Sequence, residues 1–323
     1  YSEVVFAHLA AQTAAAEAII HKEFHLSSAD PKIVGVDAVR KIGRTSYDVA
    51  DQLSNLGMEA IHPNAARVLR RADVPLRVKH AFEPDDPGTL IGPEGGEANR
   101  VEMVTGLPVQ AFEVHEPDMV GVKGYDATIL SALTRHNLWI VSKQSNANTI
   151  THYINGSLKA LRRAEQEVQK AYPNAEISTR ALAMVAVIGS DLSEVLVLSR
   201  GLQALETAGL RPLAAQQGLR RIEVQFLLPR DQMDTAIKAL HDAYTWLDQL
   251  KSGTQISDIA QSTGLLDGTI WKRVRLACLS PNVQQAILDG TLNADITIRH
   301  LQSKNVPEAW AEQDRLFISQ FPC

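Results

Sequence analysis

The stretch from Gly57 to Ile91, GMEAIHPNAARVLRRADVPLRVKHAFEPDDPGTLI, joins a helix, a buried strand and a Gly-closed turn in one uninterrupted unit. Ile61-His62-Pro63 opens a helix over Asn64–Ala72, with Arg67, Arg70 and Arg71 toward the C-terminal end, where the helix dipole favours cations. Pro75–Lys79 alternates apolar and basic residues as a strand, and Asp85-Asp86-Pro87-Gly88-Thr89 turns the chain back. Immediately upstream, Ser46–Leu56 reads as a second helix, capped by Ser46, with Val49, Leu53 and Leu56 on one face and Gly57 closing it as a C′ residue.

Further toward the N-terminus, Ser2–Glu17 sets Val5, Leu9 and Thr13 on one helical stripe, and Ala18–Ile20 is a short apolar strand. The polar run HKEFHLSSADPKIVG then leaves that strand's carboxyl end, the edge where ligands bind in open α/β sheets. His21, Glu23 and His25 have metal-ligand chemistry, but a His-x-Glu-x-His run on a loop lacks the i, i+4 geometry that converges ligands on one ion. They are read as solvated loop residues, and no metal site is expected.

The 323 residues are 45% hydrophobic and 21% charged with a net charge of -5, an ordinary globular composition that argues against a chain-wide grip on nucleic acid or an anionic membrane. Two cysteines, Cys278 and Cys323, fit a reducing compartment, and no apolar run reaches the roughly 20 residues that span a bilayer. A cytoplasmic protein without a membrane partner is expected. The chain begins at Tyr1, inside an evident helix, as a processed protein or a fragment would.

The Gly57–Ile91 run resembles the end of the catalytic domain of aspartate kinases, which reads roughly G-A-x-V-L-H-P, an I-P-I-R-V strand and an N-x-F-x-P-x-x-P-G-T-x-I close. IIHKEFHLSSADPKIVG and IGRTSYDVADQLSNLG resemble the variant of this kinase associated with ectoine biosynthesis. In the common pattern a T-D-V-D-G segment lines the ATP site; here His21, Lys22, Glu23, Phe24 and His25 replace it, and Lys32 stands for an arginine. The resemblance implies that residues 1–93 are the nucleotide side of an amino-acid-kinase α/β sandwich, with ATP and magnesium as substrate, no tightly bound cofactor, and Ser27, Ser28, Asp30, Lys32 and Arg44 as nucleotide contacts. Arg44 stands where the family has a lysine; alternatively it is only a neighbour of the Ser46 cap.

The family takes its catalytic lysine from a K-x-G-G-T stretch, which this sequence does not contain, so no catalytic residue is assigned. Of the family's R-G-G-S-D substrate turn, Ser2 and Glu3 match the last two positions and are the expected L-aspartate contacts. The expectation is a chain inactive by itself.

After a Gly-rich joint at Gly92–Gly96, two modules follow, each in the order βαββα. The first, 101–173, contains strands VQAFEVHE, LWIVSKQS and NTITHYI with helices YDATILSALTRHN and GSLKALRRAEQEVQKAY. The second, 174–246, contains strands LAMVAVIG, LRPLAAQQG and RRIEVQFLLP with helices EVLVLSRGLQALETAG and RDQMDTAIKALHDAY. This internal repeat suits two ferredoxin-like sandwiches and resembles the paired ACT domains that regulate aspartate kinases. The resemblance implies a homodimer and an amino-acid effector contacted by Asp118, Met119, Gly121, Ser145, Asn146 and Asn148. The same Asn and Asp residues also serve simply as turn formers. In that family the second lobe can be inserted within the first.

Residues 247–323 differ. ISDIAQSTGLLDGTIWKRVRLACL reads as a helix-turn-helix over Ile256–Ser262 and Gly268–Leu276, with Ile259, Leu265, Ile270 and Val274 inside and Asp267, Thr269, Lys272 and Arg273 on a DNA-facing side. Seven Lys/Arg against eight Asp/Glu weaken that reading, whereas the Lys272, Arg273, Arg275 cluster supports it. The tail resembles ParB-like segments of some site-specific recombinases. The fold expected is thus α/β and α+β, ending in a small all-α tail. The second functional reading is an amino-acid-sensing ACT protein that binds DNA, and a joining of fragments without joint function is a third.

Overall fold

The computed structural model describes residues 2–58, 61–193, 196–263, 266–268, 270, 279–288, 291–292, 296, 298–301, 306–307 and 309–318. They divide into two compact units, one of residues 1–195 and 211–238, the other of 196–210 and 239–323.

The first unit contains two sheets. The smaller is formed by β1 (Ala18–Lys22), β2 (Arg44–Ser46), β3 (Leu76–His80) and β4 (Thr89–Gly92) in the order β1-β3-β4-β2. β1 runs parallel to β3 and β2 parallel to β4, while β3 and β4 are antiparallel. Its helices are α1 (Ser2–Gln12), a single turn α2 (Pro31–Val34), α3 (Tyr47–Asn55) and α4 (Pro63–Arg71). Local chemistry sets their ends. Ser46 Oγ accepts Val49 N–H at 3.1 Å to cap α3, Gly57 follows it at φ +79°, and His62 Nδ1 accepts Asn64 N–H at 3.2 Å beside Pro63 at the start of α4. α1 stops at Gln12, short of the expected Glu17, and Ala14 turns the chain at φ 49°. β2 and β4, three and four residues long, are below the length at which periodicity identifies a strand.

The larger sheet is formed by β5 (Met103–His115), β6 (Trp139–Ser145), β7 (Thr149–Asn155), β8 (Glu176–Ile188), β9 (Ala214–Gln217) and β10 (Glu223–Pro229), in the order β6-β7-β5-β8-β10-β9. β5 and β8 are longer than their sequence pattern indicates, at 13 residues each, and pair antiparallel from Met103↔Ile188 to His115↔Glu176. The far half of β5 also pairs with β7, and the far half of β8 with β10. Two modules that each read as three strands are therefore one continuous sheet, in which each half takes its fourth strand from the other. α5 (Tyr125–Arg135) and α6 (Leu158–Ala171) cover one face of the first half, burying Phe112, Val114, Ile129, Leu133, Ile154, Leu161 and Val168 together. The opposite face joins the smaller sheet's core: Val109, Ala111, Val141, Leu182 and Met184 share one apolar cluster with Leu53, Leu56, Leu69 and Leu76.

The second unit contains α7 (Val197–Thr207) and most of α8 (Met233–Lys251), joined by Tyr244 Oη donating to Val197 O at 2.7 Å, followed by α9 (Ile256–Thr263), α10 (Pro281–Leu288), α11 (Ile298–Leu301) and α12 (Trp310–Phe317). Trp246, Ile259, Ala260 and Ile270 are buried together, as are Leu279, Val283, Leu301, Val306 and Phe317. Among the described residues no helix is long and apolar enough to cross a membrane.

The turn that closes the quoted stretch is sterically strict. Gly88 sits at φ +71°, and a Cβ there would run into the Val78 carbonyl oxygen and the Lys79 side chain. Gly88→Ala is expected to lower the unfolding free energy by more than ~1 kcal/mol, because the left-handed conformation and the backbone clash act together. Urea unfolding of the two proteins side by side measures it.

Candidate functional site

Because β1 and β3 are parallel, their carboxyl ends lie at one edge of the smaller sheet, with residues 23–43 leaving β1 there. At the start of α1, Glu3 ties three elements. Lys22 Nζ at the end of β1 donates to Oε1 at 2.6 Å, and the His62 backbone N–H donates to Oε2 at 2.7 Å. Burial raises this carboxyl's pKa, but the Lys22 and His62 hydrogen bonds outweigh it and hold the group below its ordinary value. Ser2 is exposed beside it.

The loop residues divide by role. Ser28 is 5% exposed; its Oγ accepts Arg40 N–H at 2.9 Å, and its carbonyl accepts Val104 N–H at 2.8 Å. Ser27 Oγ donates to Ala29 O at 2.8 Å, and Asp30 caps α2 by accepting Lys32 N–H at 2.8 Å. Lys32 is exposed. Arg44, on β2, pairs with Glu94 and lines a cavity of about 250 Å³ with Asp73, Pro75, Leu90, Gly92 and Pro93. The structure thus gathers Ser27, Ser28, Asp30 and Lys32 in one loop and sets Arg44 at a separate cavity. His21 and Glu23 are exposed, while His25 reaches Glu83 instead of either of them.

In the larger sheet the two expected effector segments are adjacent, since Glu116 N–H donates to Asn148 O at 2.9 Å. Asp118 is exposed in the short turn Pro117–Met119, its N–H meeting the Glu116 carboxylate at 3.3 Å; Met119 is buried and Gly121 lies at φ +78°. Asn146 Oδ1 accepts the N–H groups of Asn148 and Thr149 at 3.1 and 2.9 Å, so this side chain forms the turn. Ser145 and Asn146 also border a cavity of about 270 Å³ on the face opposite α5 and α6, lined as well by Glu113, Gln144, Thr151, Tyr153, Ser178 and Arg180. Sequence reading missed Ser178 and Arg180 because it began the strand at Leu182. The alternation Ser178, Arg180, Leu182 is the signal that identifies them.

Beside these loops, His152 on β7 is fully buried, and neither ring nitrogen has a hydrogen-bond partner among the described residues. Asp126 Oδ1 stands 3.5 Å from its Nε2, and Lys143 Nζ donates to Asp126 Oδ2 at 2.7 Å.

Residues 1–80 match the model of the amino acid kinase family. The aspartate kinase Ask_Ect of Stutzerimonas stutzeri is 51% identical over 245 residues, covering 75% of this chain and 52% of that protein. Aspartokinase 3 of Arabidopsis thaliana is 23% identical over 207 residues, or 62% of this chain and 37% of its own length. The chain therefore spans about half the length, or less, of these curated relatives. Among solved structures, Clostridium acetobutylicum aspartate kinase matches with a TM-score of 0.68 at 21% identity, over 75% of this chain and 57% of that one. Escherichia coli aspartokinase III in complex with lysine and aspartate matches with 0.64 at 22%, over 75% and 55%. The fold of aspartate kinases extends over three quarters of the chain.

Burial drives the His152 pKa down to about 4 from 6.5; Asp126 opposes the shift and Lys143 adds to it. The unfolded chain then binds the extra proton between those values, so stability is complete above pH 6.5 and declines toward pH 4 by up to about 3 kcal/mol. His152→Leu is expected to flatten this part of the stability–pH curve, read from denaturant midpoints measured across that window.

Proposed function

We propose that this chain, aspartate-kinase-like in sequence and fold over three quarters of its length, is the C-terminal portion of an ectoine-type aspartate kinase that phosphorylates the side-chain carboxylate of L-aspartate from ATP. The observation that carries this reading is the 51% identity over 245 residues to the Stutzerimonas stutzeri enzyme. Phosphoryl transfer relies on positioning and on stabilising phosphate charge, with magnesium entering alongside ATP. In this chain Arg44 is the cation best placed for that role, because it borders a cavity and its partner Glu94 is itself exposed and free to be displaced. Glu3, held ionised by Lys22 and the His62 N–H, is suited to orienting the ammonium group of aspartate.

The larger sheet supports an ACT pair, two lobes sharing a central strand pair, and the adjacency of residues 116–121 with 145–148 supports an amino-acid effector there. Dimerisation through this pair is part of the same proposal. The enzyme reading implies that the sequence needs a K-x-G-G-T lysine from elsewhere for turnover.

Calorimetric titration of ATP–magnesium into the purified chain is expected to show binding, weakened about 10- to 100-fold by Arg44→Ala, as for loss of one hydrogen bond to a charged group. The same protein is expected to show no aspartate-dependent phosphate transfer. Turnover contradicts the need for a lysine from elsewhere, and binding indifferent to Arg44 contradicts the role given to Arg44.

One observation favours a second activity at the tail: Ile259 and Ile270, two of the four inner residues expected of a helix-turn-helix, are buried in one cluster, while Leu265 and Val274 lie outside the described residues. Of the DNA-facing residues, Asp267 is described, whereas Thr269, Lys272 and Arg273 lie outside the described residues. We propose that this tail binds duplex DNA, and salt-dependent retardation of DNA by the full chain, abolished by Lys272→Ala with Arg273→Ala, is the expected result. Unchanged retardation in that variant argues against it.

A further inference from the structure

The parallel pairing of β1 with β3 has brought together two histidines 55 positions apart in sequence, and with them a carboxylate from the turn that follows. His25 leaves β1, His80 ends β3, and Glu83 lies in the turn toward β4; their candidate ligand atoms all lie within 4.8 Å of one another. The imidazole rings are 4.7 Å apart between centroids. His25 Nε2 lies 2.9 Å from Glu83 Oε2, and His25 Nδ1 lies 3.9 Å from Asp86 Oδ1.

We propose that His25, His80 and Glu83 bind a divalent transition-metal ion of zinc type, with Asp86 orienting His25 from behind. The donor set of two imidazoles and one carboxylate is the chemistry that prefers zinc, cobalt or nickel over magnesium or calcium. Ligands about 2.0–2.2 Å from a tetrahedral ion stand roughly 3.3 Å from each other. The His25–Glu83 separation is already near that value, and His80 closes the remainder by side-chain rotation.

Asp86 Oδ1 faces His25 Nδ1 at 3.9 Å; closing that gap to a hydrogen bond places the ring's hydrogen on Nδ1 and leaves Nε2 for the ion, the carboxylate–histidine–metal arrangement that fixes a ligand's tautomer. Asp86 is held for this task by Lys41 on its other oxygen and by the Gly88 N–H at 2.8 Å on the same Oδ1 that faces His25. His80 Nδ1 accepts the Phe82 N–H at 3.1 Å, and ligation through that nitrogen exchanges this bond for the metal bond. The backbone is already joined at this point, since Ala81 N–H donates to Lys22 O at 2.8 Å and Asp86 N–H to Glu83 O at 3.1 Å. An ion here clips the 23–43 loop to the β3–β4 turn. The proposal does not depend on the kinase assignment.

The test is titration of zinc chloride into the chelator-stripped chain, followed by calorimetry, with cobalt absorption as a report of coordination geometry. One equivalent is expected to bind, with a tetrahedral cobalt spectrum. His25→Ala with His80→Ala is expected to abolish that site, Glu83→Gln to weaken it at least tenfold, and Asp86→Asn to weaken it about 10- to 100-fold. His21→Ala, an exposed histidine outside the cluster, is expected to change nothing. Should the double variant unfold, the exposed Glu83→Gln substitution alone decides. Zinc binding unchanged in Glu83→Gln, or no stoichiometric binding by the parent chain, overturns the proposal.

Discussion

The antiparallel pairing of β5 with β8 is the constraint on which the larger sheet depends. Each half of that sheet has only three strands of its own, and three strands do not cover the outer edge of the first one. The long pair supplies the fourth strand twice, because residues 176–181 complete the first half and residues 103–108 complete the second. A slip of one residue would turn Val109 and Ala111, now packed toward the smaller sheet, to the face where Phe112 and Val114 meet α5 and α6. Register is therefore fixed from both faces, and each half takes its fourth strand from its neighbour.

The joint between the two sheets is ordered by one buried carboxylate. Glu102 is 3% exposed and accepts hydrogen bonds from Thr45 Oγ1 on β2, and from Ser190 Oγ and, at 2.8 Å, Ser190 N–H just after β8. An unpaired carboxylate at this depth would cost several kcal/mol, which these three donors offset. Gly96 packs so closely that a Cβ would strike the Glu102 side chain, and its N–H donates to Ser190 Oγ at 2.9 Å. The Gly-rich run at 92–96, which composition alone reads as a joint between modules, is held in place by this network.

Sequence patterns were legible where order is local. The caps of α3 and α4, strand β3 and the Gly88 turn follow from short-range chemistry, and each element lies within two residues of its expected place. The first halves of β5 and β8 were not legible, because residues 176–181 alternate weakly and their role is defined by a partner some seventy positions away. The same limit hid the His25–His80 pair. Spacing along the chain evaluates His21, Glu23 and His25 together, whereas parallel strand pairing replaces the first two by His80 and Glu83.

Motif position also fails to separate a ligand contact from its scaffold. Ser28, Asp30 and Arg44 occupy equivalent places in the resemblance, yet their hydrogen bonds differ in kind. Ser28 Oγ is buried and already accepts Arg40 N–H, so presenting it to a phosphate would break the link that carries β5 through Val104 N–H. Asp30 is occupied at the first turn of α2, and as an anion it would repel phosphate. Arg44 alone among these residues combines a positive charge, partial exposure and a bordering cavity, with an exposed glutamate as its partner. The serines and Asp30 thus shape the loop, and Arg44 and Lys32 are the exposed cations of the set.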